Sequence, residues 1–252
     1  MDYFSSQMTA KGYAQDRPYF HPIVIDKIRS YLGLKGSKNI ALDVGCGAGL
    51  STVALTSLAD NVVGIDTSKE MIKATIKQKN VIYCNSSAEY LPFKNTSFDL
   101  ITVCNALSWI ERSLFFSEVD GVLCPNGWII FYENFFQGKM SESTSFEKWY
   151  NSQYLVEYPK PSRNELPLNP FECQSYGFNF AHEELYTNEI EFTCKQYIAF
   201  LMTQSNITVK IRENPDSENF IRKWLFKTLA PIFNSSSKKF LFGGYIWYLQ
   251  RA

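Results

Sequence analysis

The 252-residue chain has only two histidines, no Cys-x-x-Cys pair and no basic stretch. His21 and His182 stand far apart and outside ligand spacing, which argues against a zinc site, so no metal is expected. Cys46, Cys84, Cys104, Cys124, Cys173 and Cys194 lie mostly in apolar surroundings. They read as reduced, buried thiols of a cytoplasmic protein. Lys+Arg and Asp+Glu both number 25, so the balance gives no support to a nucleic-acid partner. No apolar run is long enough to span a bilayer, and Met1-Asp2-Tyr3-Phe4-Ser5 lacks the basic-then-apolar pattern of a signal peptide, so no membrane partner is expected. Hydrophobic residues are abundant, at 45%, enough for the core of one α/β domain carrying an insertion or a small cap.

Apolar runs alternate with amphipathic ones. A helical pattern runs from Pro22 to Leu34 and stops at Gly33 and Gly36. Strands are expected at Ile40–Val44, Asn61–Ile65, Val81–Cys84, Phe98–Cys104 and Trp128–Glu133. Helices are expected at Leu50–Leu58, after an N-cap at Ser68, and at Leu114–Leu123. That pitch is the pitch of βαβ units, which build a parallel sheet with helices on both faces. From Asn134 to about Asn188 the alternation stops, and aromatics and prolines take over. A structureless loop of that length is improbable, so the segment reads as a cap over the site. Beyond it, Leu185–Thr193 alternates like a strand, Cys194–Met202 and Asp216–Phe233 read as helices, and Phe240–Leu249 reads as a last strand.

Such sheets bind ligands at the carboxyl ends of their strands. Gly45, Asp66, Ser87 and Asn105 follow four of those ends. The segment Asp43-Val44-Gly45-Cys46-Gly47-Ala48-Gly49 is a strand running into a glycine loop, with an acid just before the first glycine. Glycines let a backbone turn sharply and come close to a ligand. A carboxylate there repels the phosphates of a dinucleotide or ATP, but suits the sulfonium and ammonium of S-adenosylmethionine. The Gly-x-Gly-x-Gly spacing also differs from the Gly-x-Gly-x-x-Gly of nicotinamide enzymes. Asp66, about twenty residues on, stands where a ribose-binding acid is expected, and equally where a strand-end Asp caps a turn. Ser87-Ala88 can read an adenine edge or form a plain surface loop. Trp109, after Asn105, can wall a substrate pocket, since aromatic faces attract cations, or pack the first turn of a helix.

These pieces resemble the class I S-adenosylmethionine-dependent methyltransferases, and within them the small-molecule branch of trans-aconitate methyltransferases, with a methyltransferase type 11 domain. The likeness is carried by Asp43–Gly49, Gly64-Ile65-Asp66-Thr67-Ser68-Lys69-Glu70-Met71, Ala88-Glu89-Tyr90-Leu91-Pro92-Phe93, Ser97-Phe98-Asp99-Leu100 and Ala106-Leu107-Ser108-Trp109-Ile110. Tyr13-Ala14-Gln15-Asp16-Arg17-Pro18 and Leu201-Met202-Thr203-Gln204-Ser205 add thinner likeness outside that core. The resemblance implies a Rossmann-like, doubly wound, mostly parallel seven-stranded sheet with a cap insertion after the fifth strand. It implies a segmentation into an N-terminal lid and helix (1–36), a cofactor-binding core (37–133), a cap (134–187) and a part completing the sheet (188–252). It assigns the cofactor to Asp43, Gly45, Cys46, Gly47, Gly49, Asp66, Thr67, Met71, Ser87, Ala88 and Asn105. Tyr13, Arg17 and Trp109 become substrate or lid residues. Arg17 has a second reading, as a structural arginine satisfying a carboxylate or a helix end.

The reaction implied is in-line displacement of a methyl group from sulfonium to a small-molecule acceptor, yielding S-adenosylhomocysteine. His21, Glu133 and His182 are the weak candidates for a general base, each with a structural reading beside it. A carboxylate acceptor needs no base, and Arg17 and Arg163 would suit one. The aromatics of the cap either line an apolar substrate pocket or form the cap's own core, and the core is favoured for most. A non-catalytic cofactor-binding protein on the same fold is the alternative function, and a monomer or homodimer the expected assembly.

Overall fold

A short helix α1 (His21–Tyr31) leads into strand β1 (Lys38–Val44), and from there strands and helices alternate: α2 (Leu50–Leu55), β2 (Ala59–Asp66), α3 (Lys69–Lys73), β3 (Val81–Asn85), β4 (Phe98–Cys104), α4 (Arg112–Val122) and β5 (Leu123–Tyr132). The computed structural model describes residues 12, 15–141, 143–161 and 167–252. Strands β1 to β5 are mutually parallel in the order β3-β2-β1-β4-β5. The last strand, β8 (Lys238–Arg251), runs antiparallel to β5, with Ile246 opposite Tyr132 and Gln250 opposite Trp128. The inner strands β1, β4 and β5 are mostly apolar because both faces are covered, whereas the edge strand β3 leaves Ile82 exposed. Leu42, Ile65, Ile101, Ile129 and Leu249 are all fully buried in one cluster with Phe115, Phe116 and Phe178.

The chain forms two compact units. The first comprises Tyr19–Asn134, the described residues of Arg163–Leu185 and Gly244–Ala252, and contains the parallel sheet. The second comprises the described residues up to Pro18, those of Phe135–Ser162, and Tyr186–Gly243. It has its own aromatic core. Phe146, Trp149, Tyr154, Tyr197, Ile221 and Phe240 are buried together, and Tyr197 stacks on Phe240 with ring centroids 4.2 Å apart. The aromatics read as a cap are therefore core residues of this unit. Stacked and edge-on pairs of this kind contribute about 0.5–1.5 kcal/mol each beyond the area they bury.

These units divide the chain at other points than the segmentation drawn from sequence. Residues 167–185, within the expected cap, pack with the parallel sheet, and residues 188–243, expected to complete that sheet, belong mostly to the second unit. The sheet has eight strands, one more than the seven expected. Strand β6 (Phe135–Met140) was not foreseen. Its pairing with β8 shifts register between Phe136 and Lys139, around Gly138 at φ 75°, and that irregularity removes the alternation a strand shows in sequence. Strand β7 (Phe178–Phe192) starts earlier than expected and pairs with β8. Helices α5 (Thr144–Trp149), α6 (Leu155–Glu157) and α7 (Pro170–Ser175) precede α8 (Cys194–Met202). Helix α9 (Ser205–Glu213) was missed, and α10 (Ser217–Phe233) matches its expected span within a residue.

Thr193 caps α8 reciprocally. Its hydroxyl accepts from the Gln196 backbone N–H at 3.3 Å, and the Gln196 side chain accepts from the Thr193 N–H at 2.9 Å. Losing such a cap costs about 1 kcal/mol. Thr193→Ala is expected to lower the urea midpoint by the equivalent of about 1 kcal/mol, with no change in the slope of the transition.

Candidate active site

The site is organised by one row across the parallel sheet. Thr102 on β4 pairs with Asp43 on β1, Asp43 with Gly64 on β2, and Gly64 with Tyr83 on β3. Residues paired side by side in a sheet project to the same face. Asp43 is fully buried on that face. Its Oδ2 accepts from the Ser51 hydroxyl at 2.6 Å and the Thr52 hydroxyl at 2.7 Å, both on the first turn of α2, and its Oδ1 accepts from Thr102 at 3.1 Å. Burial pushes the Asp43 carboxyl up to about 6, against the pull of the three hydroxyls, and the negative charge of Asp66 adds to the rise. The expected contact of Asp43 with a cofactor is thus replaced by a supporting role: its carboxylate turns inward and ties β1, β4 and α2 together beneath the glycine loop. Ser51, Thr52 and Thr102 carry no mark of this role in the sequence, because a hydroxyl's partner depends on strand register.

Gly45, Gly47 and Gly49 all take positive φ, at 71°, 53° and 89°. A Cβ on Gly45 would lie 2.6 Å from that of Ala106, just past β4. One on Gly49 would strike the Tyr83 hydroxyl. Tyr83 reaches there because Gly64, its row neighbour, has no side chain; a Cβ on Gly64 would sit 2.9 Å from the Tyr83 ring and 3.0 Å from the Thr52 hydroxyl. Tyr83 is a brace under the loop that sequence reading missed. Its one signal was a glycine inside an apolar strand, a mark of close approach.

Asp66 ends β2 and joins three of the expected pieces. Its Oδ2 accepts from the Gly47 N–H at 2.8 Å and its Oδ1 from the Ser68 N–H at 2.8 Å. Its carbonyl accepts from the Ser86 N–H at 3.2 Å and the Asn85 side chain at 2.8 Å, at the end of β3. Cys46 is buried and donates its N–H to Ile65 at 2.9 Å, and burial raises its thiol well above the ordinary value. Thr67 is exposed, Ser87 is half-buried with its carbonyl accepting from the Tyr90 N–H, and Ala88 and Met71 are buried. Asn105 is left-handed at φ 50°; its N–H donates to Tyr132 at 3.0 Å, and its Oδ1 accepts from the Asn134 N–H at 3.0 Å. Trp109 lies in a single 3-10 turn, Leu107–Trp109, and is partly exposed.

The other candidates lie elsewhere. Tyr13 and Arg163 fall outside the described residues. Arg17 donates to the Thr203 carbonyl at 2.9 Å, at the carboxyl end of α8, and lies over the Phe200 ring, which matches its structural reading as an arginine satisfying a helix end. His21 is buried against Phe20, with Nδ1 3.2 Å from the Tyr132 hydroxyl, and burial pushes its ring down to about 3. It is therefore neutral at neutral pH and a very weak base. His182 is exposed and stacks on Tyr31, whose ring lies edge-on to Trp128 at the opposite end of the parallel stretch of β5 from Tyr132. Glu133 follows β5, and its carboxylate accepts from the Tyr245 hydroxyl. Among the described residues no cluster fit for a metal ion is present.

The arrangement fits an adenosyl cofactor. Asp66 stands at the carboxyl end of β2 beside the glycine loop, where a ribose-binding acid is expected in such a sheet. Two carboxylates at and beneath the loop oppose phosphate and favour cationic groups.

Asp43 also gives the first unit a pH signature. A carboxyl raised from 3.8 to about 6 on folding contributes stability that is complete below pH 4 and lost as pH rises through 6. Subtracting the urea stability of Asp43→Asn from that of the native chain is expected to give a difference that falls by about 3 kcal/mol between pH 4 and pH 7. A flat difference would mean that the carboxyl titrates normally.

Comparison with known proteins agrees with this geometry. Residues 42–131 match the family described as a methyltransferase domain. A Dictyostelium discoideum protein named as a methyltransferase is 32% identical over 123 residues, 49% of this chain and 46% of its own length. Demethylmenaquinone methyltransferase of Staphylococcus aureus is 33% identical over 122 residues, 45% of this chain and 50% of its own. A Saccharomyces cerevisiae protein named as an S-adenosylmethionine-dependent methyltransferase is 22% identical over 66% of this chain and 61% of its own. The chain spans about half the length of the curated relatives it matches. Among solved structures, a type II methyltransferase from Anaeromyxobacter dehalogenans superposes with a TM-score of 0.67 at 17% identity, over 90% of this chain and 95% of its own, which establishes the fold. The stretch that matches the methyltransferase-domain family runs from strand β1 into strand β5 and takes in the loops between them.

Proposed function

We propose that this chain is an S-adenosyl-L-methionine-dependent methyltransferase acting on a small molecule. The observation that carries the reading is Asp66, one carboxylate at the end of β2 that orders the glycine loop through the Gly47 N–H, at the position of a ribose-binding acid. Gly45, Gly47 and Gly49 bring backbone against the methionine side. Thr67, Ser87 and Ala88 border the adenine, and Asn105 and Trp109 stand on the side from which an acceptor approaches. Cys46 and Met71 belong to the packing beneath. When bound, the cofactor supplies an electrophilic methyl group on sulfonium. The residues of the chain contribute placement: they hold one reactant on the loop and bring the other into line, an effect worth about 7–11 kcal/mol when the geometry is right.

The yeast relative's name and the S-adenosylhomocysteine in a solved Haemonchus contortus phosphoethanolamine N-methyltransferase complex support the choice of cofactor. A carboxylate acceptor draws less support, since Arg17, one of its two expected holders, already bonds the end of α8.

Calorimetric titration with S-adenosylmethionine and S-adenosylhomocysteine, with NADH as control, tests the reading. Adenosyl binding without NADH binding is expected, weakened at least about tenfold in Asp66→Ala by loss of the charge-assisted bonds. Equal affinity of that variant would remove Asp66 from the site. Binding of NADH in place of the adenosyl ligands would overturn the reading as a whole.

A further inference from the structure

Next to Trp109, within the first unit, the chain encloses an open cavity of about 650 Å³. Its walls include Ile110, Glu111 and Arg112 at the start of α4, and Asn169, Glu172 and Tyr176 on and beside α7. The volume is that of a small-molecule pocket. It begins one residue past Trp109, on the loop that leaves β4.

The charges around it are unequal. Arg112 is the one cation among the described lining residues, and its charge is already matched: Nη1 donates to both carboxylate oxygens of Glu172 at 3.0 Å. Among the described lining residues Glu111 leaves the acids one ahead of the bases. It is exposed and caps α4, its Oε1 accepting from the Ser113 N–H at 3.3 Å and the Ser113 hydroxyl at 2.8 Å, bonds that leave its charge negative. A second carboxylate stands directly behind it, where Glu89 accepts from the Glu111 N–H at 2.9 Å. The Tyr176 ring adds an aromatic surface, which attracts cations. A carboxylate ligand would meet like charge here and find the guanidinium occupied, whereas an ammonium meets opposite charge.

We infer that this cavity binds the ammonium group of an amine carrying an apolar body, and that it thereby selects the acceptor of the methyltransferase. The selection role rests on the reading of the preceding section; the binding preference does not. Ile110 and Tyr176 suit the apolar body, and Glu111 the charged head.

Two probes of one shape and opposite charge, 4-phenylbutylamine and 4-phenylbutyrate, test the inference by saturation-transfer NMR titration, with and without S-adenosylhomocysteine. The amine is expected to bind about tenfold more tightly than the carboxylate. Glu111→Gln is expected to weaken the amine about threefold, and leave the carboxylate unchanged or improved. Glu172→Gln removes a negative charge from the wall and is expected to narrow the preference for the amine; circular dichroism checks its folding, and if it fails to fold Glu111→Gln still decides. Equal binding of the two probes, binding of neither, or an amine affinity indifferent to Glu111→Gln would overturn the inference. Binding of S-adenosylhomocysteine with neither probe would leave the methyltransferase reading standing alone. Amine binding without any adenosyl binding would do the reverse.

Discussion

A single buried carboxylate, that of Asp43, holds the cofactor side of the first unit together. Burying a charge is costly unless hydrogen bonds replace its water. Three hydroxyls do so here, two from α2 and one from β4, and such bonds to a charged group contribute about 1.5–3 kcal/mol each. They do not fully offset the cost, since burial still raises the carboxyl to about 6. The consequence is geometric. With β1, β4 and α2 fixed on one carboxylate, the backbone between Val44 and Leu50 has little freedom, and Gly47 presents its N–H to Asp66 at 2.8 Å. The Tyr83 ring closes the same arrangement from below, in the space that Gly64 and Gly49 leave open. Five elements thus meet at the row that Asp43 anchors.

The distribution of charge matters more than its sum. Over the whole chain acids and bases cancel. Locally they do not: Asp43 and Asp66 sense each other at the loop, and Glu89 and Glu111 stand together beside the cavity near Trp109. Both places disfavour anions and favour cations. The first preference suits a sulfonium and the second an ammonium, so the same electrostatic preference recurs at both places.

Much of this was legible in the sequence because the parallel sheet announces itself. Each of its strands is a short apolar run closed by glycine or a polar residue, as at Val44-Gly45 and Ile65-Asp66, and in the inner strands burial on both faces demands that pattern. The glycine loop and Asp66 were legible for the same reason, since their placement follows from strand order alone. The inward turn of Asp43 was not, because it depends on which residue of β4 lies opposite, and Thr102 becomes a partner only once register is fixed. Strand β6 was hidden by its register shift at Gly138. The aromatic segment after Asn134 gave composition but no period, so its residues were read correctly as core while the division into units was drawn elsewhere. Arg17 offered two readings that local sequence cannot separate, because its partner, Thr203, is 186 residues away.

The base candidates bear on what the catalysis must rest on. His21 is buried and pushed down to about 3, so at neutral pH it stays uncharged and accepts protons poorly. His182 lies toward the opposite end of β5 from the loops that close the site. Glu133 stands at the right end of β5, but its carboxylate already accepts from the Tyr245 hydroxyl, and Tyr245 is held flat on Trp247 at a centroid distance of 3.9 Å. Burial makes His21 too weak a base to activate an unreactive hydroxyl, and Glu133 is already engaged by Tyr245. A nucleophile that reaches the site with a lone pair already available needs no such base. For the methyl transfer proposed above, alignment and exclusion of water would supply the rate, and the Asp43 row and the loop above it offer a fixed frame for that alignment.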